Sequence, residues 1–158
     1  MSEWLEHWRL GSFIDSKTYG ICKLAGFYRN RAWVIANFGE HYEISIEDLS
    51  PIRLTLSWIE ALGFEFFESR VIPLDSYDCD EEVWGIWVDC GDYSDYSFRI
   101  KLLRHPGWIE VLEMSVKENH NDSKITLADT YWLHSLTNAF FQVFEFDLKI
   151  VKPEKITS

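Results

Sequence analysis

The chain has 158 residues, 47% of them hydrophobic and 16% aromatic, and a formal charge of −11; that composition excludes disorder and lets one domain bury a core without disulfides or metals. Its three cysteines, Cys22, Cys79 and Cys90, lack C-x-x-C spacing, no apolar run approaches the roughly 18 residues of a membrane span, and Met1 to His7 is no basic-then-apolar leader. A disulfide framework, a zinc ribbon, secretion and membrane insertion are therefore not expected, and a reducing cytoplasm is.

Four short runs rich in aromatic and β-branched residues come first: Arg9 to Ile14, Tyr19 to Phe27, Ala32 to Phe38 and Tyr42 to Ile46. The turn formers Asp15-Ser16, Tyr28-Arg29-Asn30 and Gly39 separate them, and this spacing predicts a small curled, SH3-like sheet. Pro51 ends the strand pattern. Thr55 offers an N-cap to a short helix over Leu56 to Leu62, and Gly63 stands at its C′ position, so the helix is placed to plug or bridge the small sheet.

Beyond it, Phe64 to Phe67 and Val71-Ile72 read as strand, and Asp75 to Glu82 as an exposed acidic loop. Val83 to Cys90, Tyr96 to Arg104 and Trp108 to Val116 follow as strands, with turns at Gly91-Asp92 and His105-Pro106-Gly107. Their alternation, imperfect in Trp108 to Met114, fits an antiparallel meander with one solvated face. After a polar loop from Lys117 to Lys124, Trp132, Leu133, Leu136, Ala139, Phe140, Val143 and Phe144 recur at helical spacing. They predict one face of a helix over Ala128 to Phe144, lying across the sheet. The expected architecture is α+β: an N-terminal β-rich lobe with its short helix over 1–68, an antiparallel sheet packed by one long helix over 69–151, and a loose tail over 152–158.

Three blocks carry a family resemblance: Arg9 to Ile14; Leu49 to Thr55 with Trp58-Ile59 and Leu62 to Phe64; and His134 to Phe141. In this order they resemble uncharacterised small proteins of Bacteroidota phages, prophages and mobile elements, whose pattern is roughly R-I-G-N, I-x-P-I-P-L-T-x-x-W-L-x-x-x-G-F and H-Q-L-Q-N-L-Y-F. Arg53 stands where a second proline is usual, Glu145 where the turn is commonly Gly, and residues 70–127 have no counterpart. The resemblance implies an origin and a fold, with no established enzymatic role.

Charge singles out the segment without a counterpart. Residues 71–98 hold eight acids and no Lys or Arg, against ten acids and seven bases in 1–70 and eight of each in 99–158. Such a segment repels phosphate backbones and anionic membranes and favours a basic protein surface or a cation. The cluster of Asp75, Asp78, Asp80, Glu81 and Glu82, continued by Asp89, Asp92 and Asp95, has three readings: a solvated loop, a cation site, or a protein-binding surface. The D-x-D-E-E run lacks a full calcium-loop pattern. Tyr77, Trp84, Trp87, Tyr93 and Tyr96, interleaved with the acids, suit an interface, although several must be core.

Other sites read as structural. His134 and Asn138, one helical turn apart, fit a helix-surface histidine bonded to a neighbouring element, and His120-Asn121-Asp122 a turn. His7, His41 and His105 have no zinc spacing, and the glycines form no phosphate loop, dinucleotide fingerprint or nucleophile elbow. Lys17, Lys23, Arg29 and Arg31 beside Tyr28 and Trp33 resemble a weak RNA-binding surface, with neighbouring acids favouring a solvated face.

The expectation is a non-enzymatic phage-type accessory protein, without cofactor or metal, acting against host defence in the bacterial cytoplasm in the manner of anti-CRISPR inhibitors. Its partner would be a bacterial protein with a basic surface, such as a CRISPR effector nuclease. It would be bound through Asp75, Tyr77, Asp78, Asp80, Glu81, Glu82, Asp92, Tyr93 and Asp95. The alternatives are a small metal-dependent phosphodiesterase using Asp78, Asp80 and Glu82, and a structural phage component.

Overall fold

The computed structural model describes residues 9–36, 39–73, 78–88, 96–118, 121–125 and 132–156. It is an α+β fold with two five-stranded antiparallel sheets and one longer helix. The first sheet comprises β1 (Phe13–Ser16), β2 (Gly20–Tyr28), β3 (Arg31–Ile35), β4 (His41–Ser45) and β5 (Leu49–Ser50). A turn over Arg9 to Ser12 delays β1 beyond its expected start, the Ser12 N–H donating to the Arg9 carbonyl at 3.0 Å.

The strand order β4-β3-β2-β1-β5 is SH3-like: four strands run as a meander, then a 3-10 turn over Ile46–Asp48 returns β5 to β1. The curl wraps a small core that includes Ile14, Leu24, Val34, Ile44 and Leu49.

Thr55 caps α1 (Leu56–Ala61) as its sequence predicts, its hydroxyl accepting from the Trp58 N–H at 3.3 Å, while Gly63 takes φ +92 just past the helix. The second sheet is an unbroken meander of β6 (Glu65–Pro73), β7 (Asp78–Val88), β8 (Tyr96–His105), β9 (Trp108–Glu118) and β10 (Asn121–Ile125). Leu112 is an extra residue in β9: Val111 faces Leu102, and Glu113 faces Lys101. This bulge resets the phase so that Ile109, Val111 and Met114 all point inward, which is why the alternation reads as imperfect.

The inner face of this sheet carries Trp84, Val88, Phe98, Ile100 and Leu102. Against it lie Trp58, Ile59 and Leu62 of α1, and Leu133, Leu136 and Phe140 of α2 (Leu133–Phe144). Phe98 and Phe140 meet edge to face at 5.3 Å. Phe13 of β1 joins this larger core, so α1 bridges the sheets while packing on the second. The position 68/69 falls inside β6.

Four expectations are corrected. The Asp75 to Glu82 loop is strand from Asp78 onward, and the loop over Lys117 to Lys124 contains the start of β10. His134 is only 2% exposed, with the core on the helix's inner face, and is no surface residue. The tail is tied down: the Val151 and Lys152 N–H groups donate to the Ala61 carbonyl at 2.8 and 3.0 Å, Lys155 pairs with Glu60 at 3.1 Å, and Pro153–Lys155 forms a 3-10 turn. The expected helical residues Ala128 to Tyr131, and the Gly91-Asp92 turn, lie outside the described residues, and Trp132, expected within the helix, is extended and bridges Arg53 just ahead of it. Among the described residues no helix is long and apolar enough to cross a membrane.

Candidate functional site

Strand alternation decides what the acidic run can do. Asp80 and Glu82 project from one face of β7 and Glu81 from the other, so the run is not one continuous acidic surface. Asp78 opens β7 opposite Pro73. Asp80 is exposed and pairs across the strands with Val71, itself 61% exposed on the edge strand β6. Asp75, Tyr77, Asp89, Asp92, Tyr93 and Asp95 lie outside the described residues.

Glu82 is the surprise of this margin, because it is 6% exposed. Arg104 of β8 clamps it from the same face, Nη2 donating to Oε1 at 3.0 Å and Nε lying 2.5 Å from Oε2. The Trp84 indole N–H donates to Oε1 at 3.0 Å. Both carboxylate oxygens are thereby satisfied, which is what permits burial of the charge. Glu82 is therefore a structural carboxylate: neither a docking residue nor a free ligand for the phosphodiesterase constellation with Asp78 and Asp80. Glu81, also buried, lines a hollow of about 230 Å³ with Glu68, Ser69, Val83 and Lys101 on the opposite face.

Aromatic side chains flank both faces. Phe66, exposed on β6, meets the buried Trp84 ring edge on at 5.7 Å. On the outer face Phe67, the bulged residue of β6, lies across Gly85, where a Cβ would come 2.3 Å from the ring. Arg99 sits over that ring at 5.1 Å, and Trp87 flanks it at 5.9 Å. Trp87 is 61% exposed at the end of β7. Beside it opens a largely apolar hollow of about 310 Å³ walled by Ile86, Phe140, Phe146 and Val151, with Asp147 and Lys149 also in its lining. The connection from this corner to β8 is the chain that carries Asp89, Asp92, Tyr93 and Asp95.

Sequence reading missed Arg104, Arg99, Phe66 and Val71. The signal was present in the Arg99, Lys101 and Arg104 series that follows the base-free segment, but only the register of β8 against β7 shows which acid each base meets.

Elsewhere, His105 stacks on Trp108 at 4.1 Å and faces Glu110 at 3.2 Å, while Arg53 lies over the same indole at 5.2 Å. Arg9 pairs with Asp147 and sits over the Phe141 ring at 3.9 Å, fastening the first turn to the end of α2. Among the described residues no three His, Cys, Asp or Glu side chains converge as a metal site. No protein-family model, curated protein or solved structure matches this chain.

Proposed function

We propose that the chain is a non-enzymatic binding protein of phage or mobile-element type. It acts against host defence by docking on a basic, nucleic-acid-handling bacterial protein such as a CRISPR effector nuclease. The observation that carries this reading is the corner at the end of β7. There a widely exposed tryptophan stands beside a largely apolar hollow, and the next stretch of chain, residues 89–95, has acids as its only charged residues. An exposed aromatic anchor followed in the chain by acids suits an interface in which charge speeds encounter and the buried ring sets residence. The three-block resemblance to proteins of Bacteroidota phages supports the origin.

The partner-facing set at this corner is Asp92, Tyr93 and Asp95 with Trp87; Asp78 and Asp80 open β7 at its other end, about 20 Å or more along the strand, Asp75 and Tyr77 precede them in the chain, and Glu81 and Glu82 drop out because they are buried. The test is a pull-down from host extract with Trp87→Ala and with Asp92 and Asp95 changed to Ser. A cleavage assay on the captured nuclease follows. Loss of capture and of inhibition by both variants is expected, with unchanged melting temperature. Capture of the same partner by both variants at wild-type level would sink the proposal.

A further inference from the structure

A second surface carries bases beside exposed rings. The β2–β3 hairpin holds Lys23, Arg29 and Arg31 and no acid, while the neighbouring β4 sets Glu43 opposite Trp33. Ala32 and Val34 point into the small core, so Arg31, Trp33 and Ile35 project from the outer face of β3. The bulge between Leu24 and Gly26 in β2 then sets Gly26 opposite Trp33 and Tyr28 opposite Arg31, adding Tyr28 to that face.

Tyr28 is 64% exposed and Trp33 39%. As diagonal cross-strand neighbours they stand about 7–8 Å apart, within reach of a single extended ligand. Arg29 closes the hairpin in the left-handed region, φ 57, with its guanidinium 5.2 Å from the Tyr28 ring centre. Among the described residues neither Arg29 nor Lys23 has a carboxylate partner, whereas Arg31 shares Glu43 at 3.1 Å. Along the same face, Lys23 and Ile35 border an open hollow of about 290 Å³.

We propose that this outer face of the β2–β3 hairpin binds single-stranded nucleic acid. Exposed rings on a strand pair accept bases by stacking, without regard to sequence, and the flanking guanidinium and ammonium groups neutralise phosphates. A duplex hides its base faces, so the rings select single strands. The face belongs to the first sheet and shares no residue with the acidic corner of the second, so either reading can fail alone.

Fluorescence anisotropy with labelled U15 RNA and T15 DNA at 50 and 300 mM NaCl tests it. The wild-type chain is expected to bind both oligomers at low salt and to weaken as salt rises. Tyr28→Ala/Trp33→Ala and Lys23→Glu/Arg29→Glu are each expected to weaken binding by about tenfold or more, with circular dichroism and melting temperature unchanged. Absence of binding at 50 mM NaCl, equal affinity for a 15-base-pair duplex, or wild-type affinity in both folded double variants would overturn the proposal.

Discussion

Glu82 combines burial with a charge, so its partners determine whether β7 is stable. Arg104→Ala removes the base that pairs with Glu82 among the described residues and is expected to cost about 2 kcal/mol, less than a fully buried pair because the arginine is half exposed. Glu82→Gln keeps an acceptor for the Trp84 indole and should cost less than Arg104→Ala in the same urea titration. At Cys22, burial pushes the thiol above its ordinary value and Asp15 adds to the rise, while the Ser16 hydroxyl opposes it. The thiol is therefore protonated and sheltered at neutral pH. In a Cys79→Ser/Cys90→Ser variant, alkylation at pH 7.5 should run about tenfold or more slower than in denaturant. Because the folded value lies above the unfolded one, this group's contribution to stability is intact below the unfolded value. It is lost as pH rises through the folded one.

Among the elements, α1 was legible because each of its signals is local: Thr55 caps it and Gly63 supplies the left-handed exit. The end of α2 shows the reverse case. Glu145 occupies the left-handed region, φ 62, its N–H donating to the Phe141 carbonyl at 2.8 Å, a conformation that favours glycine. A side chain there costs about 1 kcal/mol, so Glu145→Gly should stabilise by up to that amount in thermal or urea unfolding. Arg53 forms a lone antiparallel bridge with Trp132 and covers Trp108. The bulges at Phe67 and Leu112 were not legible, since an extra residue in a strand is defined only by what its partner strand does.

For the molecule as a whole, the last segment acts as a strap. Leu148 is buried in the larger core, the backbone at Val151 and Lys152 bonds to the end of α1, and Ile156 packs against the same core. Deleting residues 148–158 should therefore destabilise the fold by roughly 3 kcal/mol or more, counting the lost Leu148 burial and the contacts around it, read as a fall in melting temperature. A tail with no anchor would leave that temperature unchanged. By itself the sequence determined the α+β class, the curled first sheet, α1 with its caps, the meander and the apolar stripe of α2, because hydrophobic period and turn chemistry act over a few neighbouring residues. It also determined that negative charge is concentrated in residues 71–98. Only the tertiary structure decided which of those acids are surface and which are core. Glu82 is buried because β8 brings Arg104 to it across the sheet, and Tyr28 and Trp33 share an open face because β2 carries a bulge. Pairing between strands far apart in sequence follows from register, and register is a property of the assembled sheet.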